Sequence, residues 1–324
     1  MSRFSGGLVV GKFAPLHRGH ERLIAAALAQ CRRVVVMVWS DPDFEAMPTA
    51  VRATWLRERF PEVTVLAFNV GEAPPNAAPD DAHRAFIRAH LPFPVEAVFT
   101  GGEAYGEGLG RALGAVHVAV DRRADGRSGR AARADVGGYH EHLVPGARAH
   151  FVERVVFLGA ESSGKSTLAQ AVAARLGEPY VEEVGRTLWV EAGGDLPLAD
   201  YVRICREHVA LEDAAARQAR RWVLVDTNAL TTQAYAFFFF GACPPEVQAY
   251  AARCRERYRH VFVCAPDFPF VQDGTRVHPQ VQRYMDGAIR NDLTVRGIPY
   301  TVVGGTVAER VGRVLAALGV AAGS

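Results

Sequence analysis

The chain has 324 residues, 49% of them hydrophobic and 22% charged, with a formal net charge of +2. These figures fit a globular protein long enough for two domains, and they give no electrostatic reason for a nucleic-acid or anionic-membrane partner. The five cysteines, Cys31, Cys205, Cys243, Cys254 and Cys264, form no CxxC pair or Cys/His cluster, so neither a disulfide framework nor a zinc site is indicated. The first residues lack the apolar core of a signal peptide, and the phenylalanine-rich run at 234–243 is too short to span a bilayer. A cytoplasmic enzyme is expected. Of the 37 basic residues 35 are arginine, and the two lysines, Lys12 and Lys165, each fall inside a glycine-bearing motif. Those two places call for a compact ammonium on a flexible stem, which a planar guanidinium does not mimic.

In chain order, strand-like apolar runs at 8–10, 34–39, 63–68, 95–100 and 116–120 alternate with helical stretches at 20–31, 50–60 and 81–91. Such alternation predicts a parallel sheet with crossover helices, whose ligands bind at the carboxyl ends of the strands. The first run leads into Gly11-Lys12-Phe13-Ala14-Pro15-Leu16-His17-Arg18-Gly19-His20. Pro15 favours a turn opening a helix. His17 and His20, three apart, share one face of its first turn, and Gly19 leaves the backbone bare between them. Two imidazoles and an ammonium at a helix N-terminus suit a polyphosphate.

This motif resembles that of the HIGH-superfamily nucleotidyltransferases, in particular bacterial nicotinamide mononucleotide adenylyltransferases. The resemblance implies that His17 and His20 contact the ATP phosphates and that Lys12 binds phosphate near the reacting centre, with Gly11, Phe13 and Gly19 forming the cradle. It also implies direct attack of the substrate phosphate on the ATP α-phosphorus, with no covalent intermediate. Arg52 and Trp55, in Arg52-Ala53-Thr54-Trp55-Leu56, look like a family element that binds the nucleotide substrate. The segment Thr100-Gly101-Gly102-Glu103-Ala104-Tyr105-Gly106 is similar to the loop after a late strand of these enzymes. The family's second phosphate element is best matched by Ser128-Gly129-Arg130-Ala131-Ala132-Arg133, which keeps Ser128 and Arg133 but has Arg130 where threonine is usual. A domain junction is expected near the end of the Arg-, Gly- and Ala-rich stretch 122–150, giving domains 1–150 and 151–324.

A strand at 154–158 then runs into Gly159-Ala160-Glu161-Ser162-Ser163-Gly164-Lys165-Ser166, followed by Thr167 and an Ala-rich helix, with further strands expected at 179–184, 222–226, 260–265 and 300–303. This fits a phosphate-binding P-loop. Backbone N–H groups cradle the phosphates, Lys165 reaches the β/γ oxygens, and Ser166 helps to hold Mg²⁺. Four later pieces resemble the kinase domain of NadR-type bifunctional proteins, which phosphorylate N-ribosylnicotinamide. They are Glu183 to Arg186, Asp200-Tyr201 with His208, the stretch from Asp226 and Thr227 to Ala234, and Asp273-Gly274-Thr275-Arg276. The resemblance implies that Arg186, Asp200, Tyr201 and Thr227 meet substrate, and that Arg276 sits on a lid and stabilises charge on the moving phosphoryl group. Glu183 or Asp226 would orient and deprotonate the ribose hydroxyl; Glu183 is favoured as base and Asp226 as the Mg²⁺ partner. Trp189, Tyr201 and Tyr235 are candidates to stack on a pyridinium.

The reading is an α/β protein of two doubly wound parallel-sheet domains, an N-terminal Rossmann-like nucleotidyltransferase and a C-terminal P-loop kinase. Its expected function is NAD salvage: ribosylnicotinamide and ATP give nicotinamide mononucleotide, which is adenylylated to NAD with release of pyrophosphate. Expected partners are these small molecules, with self-association into a homo-oligomer allowed. No room is seen for the helix-turn-helix repressor of some NadR proteins, so no nucleic acid is expected. Three rivals stand beside it: a ribosylnicotinamide kinase with a decayed transferase, a kinase–adenylyltransferase pair for another vitamin cofactor, and a nucleotide sensor with little turnover.

Overall fold

The computed structural model describes residues 2–42, 44–121, 132–133, 135, 137–267 and 279–320. The chain divides into two compact units, Met1–His150 and Phe151–Ser324.

The first unit runs β1 (Phe4–Gly11), α1 (Arg18–Gln30), β2 (Cys31–Val38), α2 (Thr49–Arg59), β3 (Thr64–Ala67), α3 (Asp80–Ala89), β4 (Ala97–Thr100), α4 (Glu103–Leu113), β5 (Val116–Ala119) and α5 (Pro145–Phe151). Its strands lie in the order β3-β2-β1-β4-β5, all parallel. The chain leaves β1 toward one edge and later crosses to the other. Right-handed crossovers therefore put helices on both faces and make the carboxyl end of β1 the switch point. Val34 to Val38 are buried throughout, as strands covered on both sides must be. Leu8, Met37, Val98, Ile87 and Leu109 join strands and helices in one core.

The second unit runs β6 (Glu153–Leu158), α6 (Lys165–Leu176), β7 (Tyr180–Val181), α7 (Val184–Glu191), α8 (Asp200–Ala216), β8 (Trp222–Asp226), α9 (Ala229–Phe240), α10 (Pro245–Ala252), α11 (Cys254–Arg257), β9 (His260–Cys264), α12 (Pro279–Val295), β10 (Thr301–Val303) and α13 (Val307–Ala317). The order β10-β9-β6-β8-β7 is again all parallel, with the switch at β6. Phe157, Leu168, Leu224, Phe262 and Val314 form its core. Helix α13 starts at a reciprocal cap, in which Glu309 N donates to Thr306 Oγ1 at 3.3 Å and Thr306 N donates to Glu309 Oε2 at 2.8 Å.

Two elements depart from expectation. The run 179–184 supplies only a two-residue strand, because Glu182 and Glu183 interrupt its apolar character and α7 begins at Val184. Helix α4 forms where the glycines of its sequence argue against a helix. Gly106 explains the exchange: a Cβ there would stand 2.0 Å from His117 Nε2, so the helix needs a bare backbone to lie against β4 and β5.

Candidate functional site

In the first unit the segment between β1 and α1 turns tightly, with Phe13 at φ 51°, a left-handed conformation that costs a non-glycine residue about 1 kcal/mol or more. The Phe13 ring holds it in place, fully buried and 4.9 Å from the His20 ring. His17 is the N-cap of α1. Gly19 N donates to His17 Nδ1 at 3.1 Å and His17 N donates to His20 Nδ1 at 3.4 Å. The two imidazoles stack with centroids 3.8 Å apart. Because each Nδ1 accepts a backbone N–H, each neutral ring carries its proton on Nε2. The stacked pair stands at the helix N-terminus, the end of a helix that suits an anion. The Lys12 ammonium is held below its ordinary pKa by partial burial and by Arg133 and Arg52, with Asp41 opposing. Arg133 reaches this turn and donates from Nη1 to Ala14 O at 2.6 Å. Ser128 and Arg130 lie outside the described residues.

Arg52 is committed to the main chain and hydroxyls around the phosphate turn. It is fully buried behind the turn, and all five of its N–H groups are engaged. Nε donates to Met47 O at 2.8 Å, and Nη1 donates to Lys12 O at 2.5 Å and Trp39 O at 2.8 Å. Nη2 donates to the hydroxyls of Ser40 at 3.3 Å and Thr49 at 3.1 Å. Trp55 is packed edge-on against His150, centroids 5.3 Å apart, and lies beside Gly146. In this structure the pair supports the turn and the base of α2.

In the second unit β6 feeds the P-loop at the switch point. Gly159 has φ 137°, and a Cβ there would stand 2.8 Å from Cys264 O; Gly164 has φ 80° and caps α6. Ser162 is also left-handed, at φ 59°. Lys165 Nζ donates to Ala160 O at 3.0 Å, and Ser163 Oγ donates to the same carbonyl at 2.7 Å. Ser166 and Thr167 continue α6, with Thr167 exposed.

A pocket opens beside this loop, walled by Glu161, Lys165, Glu183, Tyr201, His208 and Tyr235, with Arg186, Trp189 and Thr227 also on it. All three aromatic candidates, Trp189, Tyr201 and Tyr235, line it. Asp200, in the first turn of α8, does not. Tyr235 Oη donates to Glu161 Oε1 at 3.1 Å. Burial raises the Glu183 carboxyl above its ordinary value, with Lys165 opposing and Asp226 reinforcing; Arg186 pairs with it at 3.4 Å. Asp226 ends β8, is 1% exposed, and has Oδ2 accepting from Tyr180 Oη at 3.3 Å. Among the described residues its Oδ1 has no hydrogen-bond partner, and neither do the buried Ser162 Oγ, His208 Nε2 and Thr231 Oγ1. Burial drives His208 down to about 4, so it is neutral at physiological pH. Unsatisfied buried polar atoms are costly, and these four, on the P-loop, at the end of β8 and on the pocket wall, suit completion by a polar ligand. The lone carboxylate oxygen of Asp226 has the character that Mg²⁺ requires. Arg276 and its neighbours 273–275 lie outside the described residues.

Sequence reasoning missed Thr231 as a separate group, although it falls in the 226–234 stretch. It also missed Tyr180, which bonds Asp226, and Gln282 and Arg310, whose partners are mostly main-chain carbonyls and leave no motif.

A protein-family model described as AAA domain matches residues 154–310. The trifunctional NAD biosynthesis/regulator protein NadR of Escherichia coli (strain K12) is 30% identical over 293 residues, covering 83% of this chain and 71% of the relative. The protein of the same description from Salmonella typhimurium (strain LT2) matches with the same identity and coverage. A crystal structure of NadR protein in complex with NR superposes with a TM-score of 0.76 at 20% identity, covering 100% of this chain and 98% of that one. A second, of NadR protein in complex with NAD and AMP-PNP, gives 0.74 at 20% identity over 100% and 99% of the two chains. No helix among the described residues is long and apolar enough to cross a membrane.

Proposed function

The chain belongs to the NadR family, and on that premise we propose that it is a two-site enzyme of NAD salvage, with a ribosylnicotinamide kinase in Phe151–Ser324 and a nicotinamide-nucleotide adenylyltransferase in Met1–His150. The observation that carries this reading is the set of polar atoms (Ser162 Oγ, Asp226 Oδ1, His208 Nε2 and Thr231 Oγ1) that lack a partner among the described residues, together with a P-loop lysine that bonds, among those residues, only a loop carbonyl. That a NadR protein has been crystallised with NR, and with NAD and AMP-PNP, supports the choice of substrates. The enzyme acts on small molecules in the cytoplasm, with no nucleic acid or membrane involved and a homo-oligomer allowed.

In the kinase, Glu183 takes the proton of the ribose hydroxyl as that oxygen attacks the γ-phosphorus of ATP. The bond between the γ-phosphorus and the bridging oxygen breaks and ADP leaves. Its raised pKa suits a base working near neutrality. Lys165, the N–H groups of the loop, and Ser166 at the start of α6 neutralise the phosphates. Asp226 and Ser166 would hold Mg²⁺, which supplies further charge neutralisation. Trp189, Tyr201 and Tyr235 offer aromatic faces to the cationic pyridinium. Arg186, Asp200 and Thr227 remain the proposed substrate-side groups, and Arg276 the proposed lid arginine.

In the transferase, a phosphate oxygen of the mononucleotide attacks the α-phosphorus of a second ATP. The α–β bridging bond breaks and pyrophosphate leaves. His17 and His20 donate from Nε2, Lys12 adds a point charge, and Arg133, with Ser128, extends the phosphate site. Incubating the purified protein with ribosylnicotinamide, ATP and Mg²⁺, then resolving mononucleotide from dinucleotide, tests both halves. Absence of both products would refute the reading. Mononucleotide alone would refute the transferase.

A further inference from the structure

A loop that binds phosphate with backbone N–H groups must turn its carbonyls the other way and satisfy them there. Four carbonyls of this P-loop have a definite partner. Ala160 O accepts from Lys165 Nζ and Ser163 Oγ, Gly164 O from Leu168 N at 3.0 Å, and Glu161 O from Gln282 Nε2 at 2.8 Å. Ser163 O accepts from Arg310 Nη1 at 2.7 Å.

Arg310 comes from α13 and is 1% exposed. Its Nε donates to Gly305 O at 2.9 Å and its Nη2 to Ala265 O at 3.0 Å, and it pairs with Asp267. Ala265 follows β9 and Gly305 follows β10, so one guanidinium ties the loop after β6 to the ends of two neighbouring strands. In a planar trans peptide the C=O and N–H point in opposite directions. Holding Ser163 O back toward Arg310 therefore turns the Gly164 N–H outward, at the residue where the chain passes through φ 80° into α6. The same charge lies beneath the place where a polyphosphate would sit.

We propose that Arg310 is a positioning residue of the nucleotide loop: it aims the Gly164 N–H and raises affinity for the nucleotide phosphates without touching them. This rests on the reading of the P-loop as the ATP site, and the test separates the two. Mg²⁺ and AMP-PNP are titrated into wild type, Lys165→Ala, Arg310→Gln, Arg310→Lys and Val314→Ala, with thermal unfolding recorded for each. Val314 lies on the same helix and is buried in the core, so its truncation destabilises α13 without reaching the loop.

Arg310→Gln is expected to weaken the Lys165-dependent binding by about tenfold to a hundredfold, the range for a lost charge-assisted hydrogen bond. In kinase assays KM for ATP should rise while KM for the acceptor stays within about twofold. Arg310→Lys should recover part of the loss, because an ammonium can still donate to Ser163 O but cannot span all the partners. Val314→Ala should lower the unfolding temperature and leave nucleotide affinity unchanged. Unaltered affinity in folded Arg310→Gln or Arg310→Lys would overturn the proposal, as would an equal loss in Val314→Ala. Wild-type binding that ignores Lys165→Ala would instead overturn the P-loop reading, and the role of Arg310 with it.

Discussion

The two phosphate turns share no sequence beyond a glycine and a lysine, yet they are anchored in the same way. Behind each lies a nearly or fully buried arginine from a helix, Arg52 on α2 and Arg310 on α13. Each donates to the carbonyl just before a left-handed residue, Lys12 O before Phe13 at φ 51° and Ser163 O before Gly164 at φ 80°. Each also takes the carbonyl just past the end of a neighbouring strand, Trp39 O after β2 and Ala265 O after β9. The difference lies in front. The first turn offers imidazole N–H groups at a helix cap, whereas the second offers backbone N–H groups and a lysine at the start of α6. A parallel sheet poses one problem at its switch point, namely how to hold a bent loop open to an anion. Here one solution serves two different chemistries.

The strongest way to break the comparison is to disable each front separately. Lys165→Ala is expected to lower mononucleotide formation by about a thousandfold while leaving adenylyl transfer from supplied mononucleotide within about twofold. His20→Ala should do the reverse, with a loss of about a hundredfold or more. Loss of both activities in either folded variant, measured by separate product assays, would mean that the sites are not independent. Lys12→Arg and Lys165→Arg keep the charge but replace a point ammonium with a planar fork; each should cost its own activity about tenfold to a hundredfold. Unaltered kinetics in both would show that the rarity of lysine has no bearing on phosphate binding.

The back of the first turn is probed next. Arg52→Gln should lower adenylyl transfer about tenfold and spare the kinase, with a lower unfolding temperature, because it frees the Lys12 and Trp39 carbonyls at once. A selective rise in KM for mononucleotide, with kcat and stability intact, would instead support the direct-contact role expected from the sequence.

The smallest effects are pH slopes, of opposite sign, on the two sides of the kinase pocket. Glu183 has a raised pKa in the fold, so the folded state holds its proton more tightly than the unfolded chain. Stability then falls as pH rises from the ordinary carboxyl value of 4.5 through the folded one. Glu183→Gln should therefore unfold at a higher temperature than wild type at neutral pH, while losing the kinase and its acid limb. His208 is depressed from 6.5 to about 4, so the unfolded chain takes the proton first. Stability falls as pH drops through that window, and His208→Asn should flatten the slope. Unchanged melting curves between pH 4 and 7 in both variants would show that neither group feels its surroundings as described.

Much of this architecture was legible in advance. Both sheets, the histidine pair at the start of α1 and the P-loop follow from apolar runs punctuated by glycine motifs, whereas Glu183 and Asp226 were named by resemblance. What escaped has a common physical origin. Helix α4 was hidden because Gly106 reads as a breaker, while its use is to let a helix approach His117. Arg52 and Arg310 were illegible as anchors because arginine is ordinarily a surface residue and their partners are mostly main-chain carbonyls, which carry no side-chain identity.

The scarcity of lysine has a chemical consequence of its own. Acylating reagents attack neutral amines, and the only side-chain amines in this chain are those of the two sites. Lys12 is partly exposed and has a lowered pKa, whereas Lys165 is 7% exposed and bonded to Ala160 O. Lysine modification should therefore fall on Lys12 first and silence adenylyl transfer before phosphorylation. In effect the chain carries a built-in footprint of occupancy: mass spectrometry of its two acylated lysines would report, site by site, where ATP is bound.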